Sequence, residues 1–432
     1  MTARAFSRGI TPGALVLAAA VPLVFLHEKF LPGFTVRGAH ATLADVAILT
    51  VAAAALATGL TGGFAPLRAG RALWIAGGAL VALVFLSTLY GHLRDSRYPT
   101  GTHLVSAAKF AEYGLLAPTL PLLLRGRPSR ELLFGAVTVW SCVATFVACL
   151  QFVGVLDDPF RHARLPGVRA QSLLGTHDLA ALSCAALSLA FAGIALPRLM
   201  GRAWTIAGGV SGAVGLTLSA ALAGVAGAAL AAAAVALVAR RRGALTLRRT
   251  LGLASIVAAI VIGSLLLRGH ELSQVLKFLG IRPGASQTSL AGSSYTQRAV
   301  LAYIGGRIFV DHPGLGVGWQ ASNDPSVYMP YVPDAKRRFP DAPAHDFPSP
   351  QLDWGVQEAV LQAGADLGVP GILVFVGLFA AAATVALRRG AVVALLWILT
   401  AFAIWNGLSL VAGIPLEAYT WLGVGLAGVA VD

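Results

Sequence analysis

Residues 220–242 read AALAGVAGAALAAAAVALVARRR, a run of apolar and small residues with no charge until three arginines close it. At 1.5 Å per residue a helix of about 20 residues matches the roughly 30 Å hydrocarbon core of a bilayer. Comparable runs lie outward in both directions, at roughly 10–26, 42–62, 72–91, 103–124, 132–155, 178–196, 203–219, 220–239, 250–267, 369–387, 391–411 and 414–430. A turn near Ser219 separates the seventh from the eighth. Hydrophobic residues make up 57% of the chain and charged residues 12%, against roughly 25% charged in a soluble domain, so too little polar surface exists to cover a core in water. The 49 glycines suit helices that pack closely in lipid, where tight contact replaces the hydrophobic drive. The expectation is an all-α polytopic membrane protein of about twelve transmembrane helices. Helices one to nine occupy 1–268, a partly helical extracytoplasmic loop 269–355, and helices ten to twelve 356–432.

Orientation follows from the basic residues of short loops, which favour the cytoplasm. Placing the N-terminal side inside puts Arg68 and Arg71, Arg125, Arg127 and Arg130, Arg198 and Arg202, the group from Arg240 to Arg249, and Arg388 and Arg389 there. Both chain ends then face the cytoplasm. Arg4 and Arg8 precede the first run, which continues from Ala20 through Leu26 and so reads as a retained helix rather than a leader. The net charge of +13 is scattered over loop ends, not gathered in the stripe that nucleic acid requires. Cys142, Cys149 and Cys184 lack CxxC spacing and read as buried small residues.

One short loop breaks the charge rule. Residues 157–171 face outward yet carry Arg161, Arg164 and Arg169, and the long outer loop adds Lys277, Arg282, Arg298, Arg307, Lys336, Arg337 and Arg338. Cations on the disfavoured side point to a bound anion, and the planar guanidinium fork fits phosphate oxygens in bidentate fashion. The competing explanation is solvated loop charge paired with Asp157, Asp158, Asp334 and Asp341. Within the long loop, Tyr295 to Phe309 reads as an amphipathic helix with Val300, Leu301, Ile304 and Ile308 on one face and Arg298 and Arg307 on the polar side. A Pro/Gly-rich turn, Asp311 to Trp319, stops it. A second helical stretch starts near Gly355 and runs through Asp366 to Gly371, where the tenth span begins.

Three segments carry a resemblance: RAQSLLGTHDLAA (169–181), QRAVLAYIGGRIFVDHPGLGVGW (297–319) and QEAVLQAGADLGVPG (357–371). In this order they resemble the O-antigen ligase and O-antigen polymerase family of bacterial glycan assembly. The resemblance implies a GT-C-like fold in the bacterial inner membrane, with a periplasmic site that uses no cofactor. It implies two partners besides the lipid bilayer: a polyprenyl-diphosphate-linked glycan donor and a glycan or lipid-anchored sugar acceptor. Arg169 and Arg298 match the family pattern. The family's His–Asn pair falls on Gln357 and Glu358, its Ser–Arg near the eighth span falls on Ser219 and Ala220, and its last glutamate falls on Asp366.

Breaking a glycosyl–diphosphate bond requires stabilisation of a departing lipid diphosphate. No His/Asp cluster has metal-ligand spacing, so arginines are the expected electrostatic clamp: Arg298 first, then Arg169 and Arg307, with Arg161 and Arg164 as further diphosphate contacts. Gln357 cannot take a proton from the acceptor hydroxyl. Glu358 is the first candidate base, His345 the second because imidazole titrates near neutral pH, and Asp353 a third. His312 is read as capping the Pro/Gly turn. Lys109 and Glu112, at i and i+3 in the fourth span, read as a structural pair or as lining for the lipid-diphosphate portal; His177 and Asp178 line the site. Two other classes are carried along. A twelve-helix secondary transporter predicts matched halves and a long central loop, and a non-catalytic member of the same family is favoured by Gln357 and Ala220.

Overall fold

Thr11 and Pro12 show how the sequence starts its helices. The Thr11 hydroxyl accepts from Ala14 N–H at 3.1 Å, and Pro12 takes the first helical position, where its missing N–H costs nothing. The computed structural model of the protein describes residues 10–36, 39–160, 167–197, 199–278, 294–350 and 355–429. After α1 (Pro12–Val24) and a hairpin of β1 (Gly33–Val36) and β2 (Ala39–Thr42) come α2 (Leu43–Gly62), α3 (Arg71–Arg94), α4 (Thr100–Gly114), α5 (Leu116–Leu123), α6 (Arg127–Phe152), α7 (Thr176–Ala195), α8 (Arg202–Ser219), α9 (Leu222–Arg241) and α10 (Leu247–Phe278). Next are α11 (Ser294–Asp311), the short α12 (Pro325–Tyr328) and α13 (Val332–Arg338), then α14 (Ala359–Arg389), α15 (Val392–Trp405) and α16 (Pro415–Gly428).

Among the described residues, seven helical segments are long and apolar enough to cross a bilayer: α2, α3 with the turn before it, α6, α7, α9, α10 as far as Arg268, and α14. Large apolar side chains point away from the core on these elements, Leu60, Ile75, Phe146, Leu251, Leu266 and Leu373 among them. Water would penalise such continuous apolar surface and lipid does not. The protein is membrane-embedded. α7 is its central helix, with 94% of its apolar window buried against 17–39% in the other six. It is approached by the small-residue edge of α8: a Cβ on Gly212 would sit 2.7 Å from Ser183 O, and one on Gly215 2.5 Å from Ser183 Oγ. Close approach through glycine is what the composition led one to expect of helices in lipid.

The fourth expected span, 103–124, is two helices. Pro118 and Pro121 cannot donate the N–H groups that a continuous helix needs, and the chain breaks after Gly114. The ninth runs on to Phe278, so the expected loop start at residue 269 is helical. The eleventh ends at Trp405 rather than 411, and a turn containing Gly413 (φ 81°) leads into α16. The hairpin β1–β2, paired from Gly33↔Thr42 to Val36↔Ala39, is a small departure from an all-α chain.

α11 to α13 and the turns around them have their own apolar core, including Val300, Ile304, Ile308, Tyr328, Val332 and Phe347. The apolar face expected of α11 is therefore the buried one. This subdomain is fastened to the bundle where α14 leaves helical geometry at Gly368 (φ 72°). There the Pro/Gly turn docks by three main-chain hydrogen bonds: Val317 N to Ala365 O at 2.9 Å, Gly318 N to Asp366 O at 3.1 Å and Val369 N to Pro313 O at 2.8 Å. A Cβ on Gly368 would lie 2.3 Å from Gly314 O, so glycine is required on steric and conformational grounds alike. The buried Asp366 carboxylate accepts from Gln320 N, Ser322 N and Gln362 Nε2 at 3.0–3.1 Å. Trp319, fully buried, donates to Ser106 Oγ at 3.1 Å.

Candidate functional site

The segment joining α6 to α7 is fixed before it delivers any functional group. Ser172, at φ 56°, donates its N–H to Gln151 Oε1 at 2.8 Å and its hydroxyl to Ala144 O at 2.7 Å, while Gln151 Nε2 donates to Ser172 O at 3.1 Å. Ala170 N donates to Leu218 O at 3.0 Å. This strapped chain holds Arg169 at one end and, past Gly175 (φ 97°), the first turn of α7 with His177 at the other.

Three separate elements bring arginines to the turn between α8 and α9. Arg298 in the second turn of α11, Arg169 on the strapped segment and Arg268 on α10 all act electrostatically on the His177 ring. Arg298 Nε donates to Gln357 Oε1 at 3.1 Å, and its Nη1 lies beside Gly407, 3.9 Å from where a Cβ would stand. Arg268 is 7% exposed and donates from Nη1 to Ala220 O at 3.1 Å. Ala220 is in the left-handed region (φ 47°) at the turn between α8 and α9, which aims its carbonyl at the guanidinium. His177 Nδ1 is buried and has no hydrogen-bond partner among the described residues. Asp178 faces elsewhere, accepting Leu416 N–H at 2.9 Å. Positive charge acting on the N-terminal turn of a long helix, where main-chain N–H groups and the helix dipole add positive potential, favours an anion over a cation there.

A band of carboxylates lies on neighbouring elements. Lys109 Nζ pairs with Asp45 Oδ2 at 3.3 Å, so the expected i,i+3 partner Glu112 gives way to an acid on α2. Asp45 is pre-positioned by the capping hydrogen bond it accepts from Thr42 N at 2.6 Å. The Lys109 side chain also packs on Gly413, whose N–H is held by Glu417 Oε2 at 2.7 Å. Lys109 thus supports the 406–414 turn, which carries Gly407 to Arg298.

The structure therefore joins Arg298 to Gln357, and the charges of Arg298 and Arg169 both reach His177. It places Arg307 apart, 3.8 Å from Asp334, in a group on the α11–α13 subdomain where Tyr303 and Arg337 donate hydrogen bonds to that carboxylate. His345 is mostly exposed and pairs with Asp346 at 3.5 Å. Glu358 is the exposed residue that precedes α14, its main-chain oxygen accepting Gln362 N at 2.9 Å. His312 does more than stop a helix: Arg94 Nη2 lies 3.0 Å from its Nε2. Arg161, Arg164 and Asp353 lie outside the described residues. Arg268 is the functional candidate that sequence reading missed. Its signal was a lone arginine ending an apolar run and opposite a position, Ala220, where the resemblance calls for one.

No protein-family model and no curated protein matches this chain.

Proposed function

We propose that the protein is a membrane glycosyltransferase that moves a glycan from a polyprenyl diphosphate to an acceptor hydroxyl on a glycan or lipid-anchored sugar, as a ligase or a polymerase. The observation that supports this reading is the approach of three arginine-bearing segments to the turn between α8 and α9: Ala170, next to Arg169, bonds Leu218 O, Arg268 bonds Ala220 O, and Gly407 packs against both Ala223 and Arg298. A diphosphate presents several anionic oxygens, and preorganised guanidinium donors stabilise the charge that grows as it departs. The acceptor oxygen attacks the anomeric carbon, the bond from that carbon to the diphosphate oxygen breaks, and the acceptor proton passes to a base. Arg268 matters because its guanidinium sits on the carbonyl of Ala220, the position at which the resembled family carries an arginine. A cation lost from one helix is thereby supplied from another. Chain topology in this reading is twelve crossings of an inner membrane, with the α11–α13 subdomain on the periplasmic side.

One observation favours a second reading. Gln357 is engaged as an acceptor for Arg298 and its amide cannot take a proton, which suits a family member that binds the lipid-linked glycan without transferring it. Purified protein given lipid-diphosphate-linked glycan and acceptor, with and without chelator, separates the two. Release of lipid diphosphate that depends on acceptor supports transfer; binding of the donor with no release supports the second reading. Release only with added metal contradicts the arginine clamp as the means of stabilising the leaving group.

A further inference from the structure

A polar cavity of about 400 Å³ opens between the turn joining α3 to α4 and the α11–α13 subdomain. That volume lies in the range of small-ligand sites, roughly 300–1,000 Å³. Its lining includes Arg94, Arg97, Tyr98, His312, Asp324 and Tyr331, which is too polar for a lipid tail. We propose that this cavity is a saccharide subsite that holds an uncharged stretch of glycan chain.

The charges of the lining are arranged against one another. Arg97 pairs with Asp95 at 3.3 Å and His103 with Asp324 at 3.2 Å. Arg94 faces His312 Nε2 at 3.0 Å, and a guanidinium has no lone pair to offer, so the imidazole accepts and is neutral. An anion entering here meets Asp95 and Asp324, and a cation meets Arg94 and Arg97. A sugar hydroxyl, which both donates and accepts, matches the mixed set of guanidinium donors and carboxylate acceptors. Tyr98 is held by its hydroxyl to Trp319 O at 2.8 Å, and Tyr331 is half-buried, so two amphipathic rings are present to meet the C–H faces of a pyranose.

The position of the cavity connects it to the arginine cluster. Ala321 and Asp324 form part of its wall. From the same short segment, Gln320 Nε2 donates to Leu410 O at 2.5 Å, in the turn that carries Gly407 to Arg298, and Asn323 packs on Gly355, two residues before Gln357. One segment of chain thus separates the two. The role assigned to the cavity rests on the transferase reading, since it would hold glycan while the clamp holds diphosphate.

The test uses full-length protein in nanodiscs and an array of lipid-free oligosaccharides of two to six sugars in neutral hexose, N-acetylhexosamine and uronic acid series. Retention of a neutral or N-acetylated series is expected. Arg94→Ala should weaken it by about tenfold or more, as for loss of a charge-assisted hydrogen bond, and the exposed mouth substitution Ser326→Trp should block it without touching the core. Arg298→Ala should leave array binding unchanged. Binding of no series by folded wild-type protein, indifference to both cavity substitutions, or a preference for uronic acids would each overturn the proposal. Polyprenyl diphosphate binding, measured in parallel, reports on the clamp alone, so either half can fail without the other. In the transfer assay, a raised KM for donor or for acceptor in Ser326→Trp identifies which glycan occupies the cavity.

Discussion

Arg298 donates from Nε to Gln357 and keeps its Nη edge beside Gly407, so its fork is oriented before any ligand arrives. Removal of such a preorganised donor lowers turnover by roughly 10²–10³-fold, and Arg298→Ala should do so in lipid diphosphate release. Arg298→Lys keeps the charge but not the planar fork and should recover only a small part. Arg268→Ala should cost less activity, because Arg268 also serves Ala220 O, and a parallel loss of thermal stability is its signature. Between the candidate bases, Glu358→Gln should abolish acceptor-dependent release while His345→Ala preserves it; the reverse assigns the imidazole. His312 gives a pH test. Burial, and then the Arg94 charge, lower its pKa below 6.5, with Asp311 opposing. The neutral ring that accepts from Arg94 is therefore favoured by the fold. Its contribution is complete above about pH 6.5, the ordinary histidine value, and is lost as pH falls through the lower folded value. Glycan retention should decline over that window, and the decline should be absent in His312→Gln. Arg169, Arg298, Gln357 and His177 stood out in the sequence as members of ordered segments, but the hydrogen bond from Arg298 to Gln357 was not written there. Arg307 was misplaced because it shares a helix with Arg298 but not a face, and its charge is absorbed by Asp334.

Two elements hold the α11–α13 subdomain in register: the Pro/Gly turn at 313–318 and the kink of α14 at Gly368. Both segments stood out in the sequence, but nothing in their text shows that they bind each other, because main-chain hydrogen bonds leave no compositional trace. Gly368→Ala must strain the left-handed backbone and push against Gly314 O, a loss of about 1–3 kcal/mol that thermal unfolding in detergent would register together with lost activity. The breaks at Gly114 and Trp405 show the other limit of sequence reading. Apolar text continues across both, so hydropathy sees one span where proline and glycine end it. Lys109 belongs to this scale as well. Lys109→Met leaves Asp45 as a buried, unpaired carboxylate at a cost of about 3–5 kcal/mol. The double change Asp45→Asn, Lys109→Met should restore most of the stability, an outcome an i,i+3 pair with Glu112 would not produce.

At the scale of the whole molecule, a membrane-embedded helical chain was plain from composition, since lipid alone tolerates so much apolar surface. Sidedness rests on the arginine-rich loops. A cysteine at Ser326, in protein whose Cys142, Cys149 and Cys184 are replaced, should react with an impermeant maleimide added outside the cell, and one at Gly243 should not. The most direct test of the central claim is equilibrium binding of polyprenyl diphosphate, monophosphate and free alcohol to purified protein. Binding should fall in that order for the wild type, weaken with added salt, and lose its preference for diphosphate in Arg298→Ala and Arg268→Ala. Equal affinity for the three lipids, or a diphosphate preference that survives both substitutions, would contradict the account.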